Sequence, residues 1–258
     1  MDEPYRGSPA FERGLELLGF DPFERLDEGT RFQQPAIFLC SVAAWDLWRA
    51  DAPDEAAEVR AAAGHSLGEY AALVAAGAIE FDAAIQLVAL RGDAMARAGE
   101  AEGGAGSMVA VLGEDEDVVR AAAHEHGLTI ANDNAPGQLV LSGPIAGIGA
   151  VDALDLRTRR LDVSGAFHSP LMAPAAQELD AALANVEVHE PRFPVISNGT
   201  AAPFTDIRAE LVENLLSPVR WRETVVVLHG MGAEEFVELG PGRVLSGLVK
   251  RVLREVPA

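Results

Sequence analysis

The run GEAEGGAG, residues 99–106, separates two textures of sequence, and this constrains the fold more than any other feature. On its N-terminal side apolar residues recur at helical spacing in PAIFLCSVAAWDLWRA (35–50), LGEYAALVAAGAI (67–79) and FDAAIQLVALRGDAMARA (81–98). Pro35 is expected in a first helical turn and Asp82 as a cap. EVRAAAG is a weak strand leading into the second helix. On the C-terminal side the elements shorten. SMVAVLG reads as a strand, EDEDVVRAAAHEHG as a helix with acids at its positive end, and LTIAN and QLVLSG as strands joined by a turn in DNAPG. A short helix in AGIGAVDAL and a strand in RRLDV complete a βαββαβ order, the order of a ferredoxin-like module. Helix–strand alternation then resumes, with a helix in APAAQELDAALANV, strands in FPVISN and EEFVELG, and a last helix in GRVLSGLVKRVLREV. The expectation is an α/β protein in which a small domain (104–163) is inserted into a larger, discontinuous one (1–103 and 164–258).

The 258 residues can bury a core of that size, and 49% apolar with 23% charged residues is ordinary globular composition. No apolar run approaches the ~20 residues that span a bilayer, and MDEPYRGSPAFERG has no apolar h-region. Cys40 is the sole cysteine, so no intrachain disulfide can form. A cytoplasmic protein without membrane attachment is expected. The net charge of -20 argues against nucleic-acid binding, because phosphates would be repelled over most of the surface. Basic residues cluster at Arg157, Arg159 and Arg160, and at Arg243, Lys250, Arg251 and Arg254. Each cluster could receive an anion or be a solvated face with local ion pairs.

Within GHSLGEY (64–70), Ser66 stands between Gly64 and Gly68 and directly before a strong helix. A nucleophile on a sharp strand-to-helix turn is exposed by its strained backbone, and the helix N-terminus can stabilise an oxyanion. The same pattern also occurs as a plain structural turn, so the serine needs a base. His65 is too close along the chain to reach its neighbour's hydroxyl. His124 and His126 lie on an apparently solvated helix, and His189 and His229 lack supporting motifs. His168, in GAFHSPLM, is the candidate general base. Arg91 interrupts an otherwise apolar helix in LVALRGDAM, where its planar fork is either paired with an acid or open to a ligand carboxylate.

GHSLGEYAALVAAGAI, LRGDAM, ANDNAPGQLVLSG, GAFHSPLM, SPVRW and ELGPGRVLSGL follow one another as in malonyl-CoA:acyl carrier protein transacylases, and from Phe11 onward the chain resembles that family. The resemblance implies an α/β-hydrolase-like large domain with a parallel sheet, carrying a ferredoxin-like small domain. It also implies transfer of a malonyl group from malonyl-CoA to the acyl carrier protein, for fatty acid synthesis, by a monomer without a cofactor. Ser66 would carry the malonyl group and His168 would serve as base and then acid. Arg91 would hold the free malonyl carboxylate, and Leu67 would offer a backbone N–H to the oxyanion. Asn214, near SPVRW, would orient the histidine through its main-chain carbonyl. Asn132 and Asn134 would line the cleft between domains. Phe167 would disfavour α-branched acyl groups. Arg157, Arg159 and Arg160 could meet CoA phosphates or the carrier protein.

In ELGPGRVLSG the Gly-Pro-Gly loop before a helix could bind phosphate, although a tight strand-to-helix turn is the plainer reading. Members of the family open with a strand and a loop of the form F-P-G-Q-G-S-Q, whose glutamine assists the oxyanion hole. MDEPYRGSPAFERGLELLGFDPF instead resembles the helix that follows, and a start codon assigned too far downstream is the favoured explanation. Two other functions suit parts of the pattern: a serine esterase, which would gain nothing from Arg91, and a catalytically impaired carrier-protein-binding module.

Overall fold

The computed structural model describes residues 1–101 and 106–256. Helix α1 (Pro9–Leu18) starts with proline in its first turn, where the missing N–H has no helical partner to lose. It stops at Gly19, whose left-handed backbone (φ 72°) returns an N–H to the Leu15 carbonyl. A 3-10 segment, Pro22–Glu28, leads into α2 (Thr30–Asp51). Pro35 therefore lies inside this helix and not in its first turn as expected. Gly29 begins the helix early, and one hydrogen bond is forgone beneath a face that buries Phe32, Phe38 and Leu39. After α3 (Pro53–Ala57) come β1 (Ala62–Ala63), α4 (Gly68–Ala75) and α5 (Phe81–Ala101). Asp82 sits within the first turn of α5, not at its cap, and pairs with Arg13 at 2.7 Å.

The inserted part follows the expected order: β2 (Gly106–Leu112), α6 (Glu116–Glu125), β3 (Thr129–Ala135), β4 (Gln138–Pro144), α7 (Ile145–Asp152) and β5 (Thr158–Arg160). Its strands pair antiparallel in the order β3-β4-β2-β5, the ferredoxin-like arrangement. Asp115 caps α6 by accepting from the N–H groups of Asp117 and Val118. The turn expected in DNAPG is confined to its last two residues, because Asp133–Ala135 belong to β3. The expected junction at 103/104 lies outside the described residues, as do residues 257–258.

A second 3-10 turn, Pro170–Met172, leads to α8 (Ala173–Leu183), β6 (Val195–Ile196), α9 (Ile207–Glu213), α10 (Trp221–Gly230) and α11 (Val244–Leu253). Strand β6 lies parallel to β1, pairing Ala62 with Val195 and Ala63 with Ile196. EEFVELG is not a strand, contrary to its alternating pattern. It has no neighbouring ladder among the described residues, and its side chains find other uses. Phe236 packs against the apolar cluster that includes Val225, while the Glu238 carboxylate accepts from the N–H groups of Leu245 and Ser246 at 3.0 and 2.7 Å. That carboxylate occupies the α11 N-terminus where a phosphate could have bound, which favours the turn reading of ELGPGRVLSG.

The largest apolar core joins α1, α2, α4, α5 and α8 through Phe11, Leu39, Leu73, Ile85 and Leu179. One face of the inserted sheet is closed by its own helices through Val109, Leu141 and Ile148. The opposite face carries Met108, Ala131 and Val140, and Phe167 packs against both this layer and the main core.

Candidate active site

The turn from β1 into α4 is tight because Gly64 lacks a side chain. A Cβ there would stand 1.8 Å from the Gly68 carbonyl carbon, which cannot move independently of the helix. Ser66 is held at φ 51°, a left-handed backbone that costs about 1–3 kcal/mol for such a residue. Two bonds from Asn198 fix it: Oδ1 accepts the Ser66 N–H at 2.6 Å, and Nδ2 donates to the Gly64 carbonyl at 2.7 Å. The Leu67 N–H has no acceptor among the described residues, so a donor beside Ser66 is unclaimed.

His168, also left-handed at φ 55°, brings Nε2 to 2.8 Å from Ser66 Oγ. Its Nδ1 lies 2.9 Å from the Asn214 carbonyl and 3.1 Å from that of Ser217. Both oxygens can only accept, so Nδ1 carries the proton and Nε2 is left as the acceptor facing Ser66. Burial, then the charge of Arg91 and the neighbouring His65, push the His168 pKa down to about 3. The imidazole is therefore neutral at physiological pH.

Arg91 lies mid-α5 and is 3% exposed. Its Nη1 donates to Gln34 Oε1 at 2.5 Å and its Nη2 to Ser66 Oγ at 3.0 Å. Gln34 is itself held by donating to Thr30 Oγ1 at 2.8 Å. The guanidinium sits 5.8 Å from the Tyr70 ring centroid. No carboxylate pairs with Arg91 among the described residues, and its Nε has no acceptor. Burial pushes its pKa down, yet arginine's very high intrinsic value keeps it a cation.

Of the other expected residues, Asn214 places its main-chain carbonyl against His168 Nδ1. Asn134 is buried on β3 with Oδ1 2.8 Å from His65 Nε2, so it faces the residue preceding Ser66. Asn132 is half-buried, and its stretch of β3 runs against Val219. Asp133 N–H donates to the Val219 carbonyl at 2.9 Å, and Val219 N–H donates to the Ala131 carbonyl at 2.8 Å. Phe167, half-buried, fills the seam before His168. The clustered arginines at 157, 159 and 160 are exposed on β5 and its approach, and Arg160 is paired with Asp152.

Four participants escaped sequence reasoning: Gln34, Glu69, Asn198 and Ser217. Gln34 and Glu69 carried a signal, being polar residues on helix faces that are otherwise apolar. Asn198 and Ser217 sit in turn-like stretches where such residues are ordinary.

An acyl transferase domain model matches residues 20–257. The chain is 37% identical over 268 residues to the malonyl CoA-acyl carrier protein transacylase of Haemophilus influenzae, covering 96% of this chain and 84% of that protein. It is 41% identical over 238 residues to the transacylase of the same name from Bacillus subtilis, covering 86% and 73%. The crystal structure of MCAT from Mycobacterium tuberculosis superposes with a TM-score of 0.90 at 32% identity, covering 100% of this chain and 90% of that one. A strained serine, a neutral histidine and a buried arginine with no carboxylate partner among the described residues thus sit in a fold and sequence shared with these enzymes, and the chain belongs to the acyl transferase family, among the malonyl CoA-acyl carrier protein transacylases.

Proposed function

We propose that this acyltransferase moves a malonyl group from malonyl-CoA to the phosphopantetheine thiol of an acyl carrier protein through a malonyl-Ser66 intermediate. The observation that carries the reading is Arg91, a buried cation without a carboxylate partner among the described residues, 3.0 Å from Ser66 Oγ. Ser66 Oγ attacks the thioester carbonyl while His168 Nε2 accepts its proton. The oxyanion forms beside the free Leu67 N–H. Collapse of the tetrahedral species breaks the C–S bond, and His168 returns the proton to the departing CoA sulfur. The carrier thiol then repeats the sequence in reverse, giving up its proton to His168 and restoring Ser66. A neutral imidazole suits both half-reactions, because each begins with proton abstraction.

Arg91 grips the malonyl carboxylate bidentately and selects for it. An acetyl group would leave the cation unpaired, a loss of about 3–5 kcal/mol by analogy with a broken buried pair. Phe167 shapes the acyl pocket, and Asn132 and Asn134 line its small-domain wall. The histidine leans on two main-chain carbonyls rather than on an acid, and this arrangement favours transfer over the esterase reading. No described helix is long and apolar enough to cross a membrane. The reaction is proposed to take place in the cytoplasm, catalysed by a monomer, as the resemblance to the family implies.

Labelled malonyl-CoA should leave one adduct on Ser66 by mass spectrometry, and none in Ser66→Ala. A correctly folded wild-type chain without the adduct would sink the transfer reading and leave the impaired binding module. Arg91→Ala should slow malonyl transfer by about 10²–10³-fold while acetyl acceptance is retained or rises, the magnitude being that of a lost charge-assisted contact. Equal losses for both acyl groups would remove the selectivity argument.

A further inference from the structure

Glu69 follows Gly68 in the first turn of α4 and is 2% exposed, yet it forms no ion pair among the described residues. A buried carboxyl without a counter-ion carries a desolvation cost that an apolar side chain would avoid. Both of its oxygens nevertheless face asparagine donors. Oε1 accepts from the Asn198 main-chain N–H at 2.7 Å and from Asn214 Nδ2 at 2.9 Å, and Oε2 lies 3.2 Å from the same Nδ2.

These two asparagines are the ones that hold the reacting groups. The Asn198 side chain straddles the nucleophile turn, accepting from Ser66 N–H and donating to the Gly64 carbonyl. The Asn214 main-chain carbonyl accepts from His168 Nδ1. The Asn214 side chain is spent on fixing its own segment: Nδ2 also donates to Ser197 Oγ at 3.0 Å, and Oδ1 accepts the Gly199 N–H at 3.1 Å. The serine and histidine reach the site from loops 102 residues apart, both with left-handed backbones. A single acceptor therefore ties together the supports of both.

Resting on the roles given above to Ser66 and His168, we infer that Glu69 is a positioning residue that fixes Ser66 Oγ against His168 Nε2, acting through Asn198 on one side and Asn214 on the other. It touches neither the substrate nor the reacting atoms. Its effect is on the alignment of the pair, and a misplacement of about 1 Å is enough to cost about 100-fold in rate.

The test measures the rate of Ser66 malonylation per folded molecule by rapid quench and mass spectrometry, with folding followed by circular dichroism. Glu69→Ala should acylate about 100-fold more slowly, with the half-saturating malonyl-CoA concentration within about threefold of wild type. Glu69→Gln should recover most of the rate, since its amide oxygen can take the place of Oε1 and accept from both asparagines. The downfield Nδ1 proton resonance of His168 should shift or broaden in Glu69→Ala and return in Glu69→Gln.

Should Glu69→Ala fail to fold, Asn214→Ala serves instead. It keeps the carbonyl that holds His168 but loses the link to Glu69, and about tenfold slower acylation at unchanged half-saturation is expected. A Glu69→Ala rate within about threefold of wild type, a Glu69→Gln as slow as Glu69→Ala, or an unaltered Asn214→Ala rate would each overturn the inference. Absence of any wild-type Ser66 adduct would instead overturn the transfer reading, so the two failures are distinguishable.

Discussion

In the inserted sheet, seven residues of β2 pair in register with seven of β4, whereas β1 and β6 meet over two residues each. The inserted sheet is held by a backbone ladder and by an apolar layer under α6 and α7. The region around Ser66 has little ladder to rely on. Its geometry comes from side-chain hydrogen bonds of Asn198, Glu69 and Asn214, and from backbone contacts that glycine alone permits. Ladder and apolar burial resist unfolding without fixing any one atom. Convergent hydrogen bonds on a strained turn fix atoms at the expense of local stability. Substitutions in the two regions should accordingly separate stability from rate.

The largest effect is expected from Gly64→Ala. A methyl group 1.8 Å from the Gly68 carbonyl carbon forces the turn open, and acylation should fall by about 100-fold or more even in the fraction that remains folded. Near-wild-type acylation by that fraction would mean that the glycine turn does not set the nucleophile's position. Next comes Leu141→Ala, which removes a fully buried side chain from the inserted sheet. It should cost about 2–5 kcal/mol in denaturant unfolding and leave the rate per folded molecule close to wild type. A parallel loss of rate would collapse the distinction between the two regions.

The smallest effect concerns pH. The unfolded His168 takes up a proton near 6.5, but the folded one does so only at about 3. Its contribution to stability is therefore lost as pH falls from 6.5 toward 3. Glu69 acts in the opposite sense, since burial raises its carboxyl from 4.5 to about 8. The folded state holds the extra proton between those values, so stability declines as pH rises from 4.5 to 8. Between 4.5 and 6.5 the two slopes oppose each other. Comparing the melting temperatures of wild type and Glu69→Gln isolates the second contribution: the variant should lose the decline above pH 6.5, a slope of at most about 1.4 kcal/mol per pH unit. Identical alkaline limbs would show that Glu69 titrates as an ordinary carboxyl.

The helices and the βαββαβ order could be read in the sequence because they depend on local periodicity. Ser66, His168 and Arg91, whose side chains meet in the structure, stood out because each breaks its local pattern: a serine between glycines, a histidine in a small-residue loop, a cation on an apolar helix. Glu69 signals only that a polar group sits on an apolar helix face, and an acid in a first helical turn is favourable for local reasons alone. Its actual partners are 129 and 145 residues away, and no local pattern encodes them. EEFVELG failed as a strand for a related reason. Alternation expresses a residue's preference, but a strand also needs a neighbour, and Glu238 was drawn to the end of α11 instead. Asn134 was expected in the cleft wall and is indeed on the small-domain strand, but its oxygen is already engaged by His65.

The short bridge between β3 and Val219 gives the segment from Asn214 to Val219 two attachments. One end holds His168 Nδ1 through the Asn214 and Ser217 carbonyls, and the other is stitched to the inserted sheet. A hinge motion that parted the sheet from the rest along this edge would have to break both Val219 bonds or drag the segment with it. Since Ser217 lies two residues upstream, dragging the segment would move one of the two carbonyls that hold His168 Nδ1. Opening along that edge therefore forces a choice between losing two backbone hydrogen bonds and disturbing the carbonyl platform under His168.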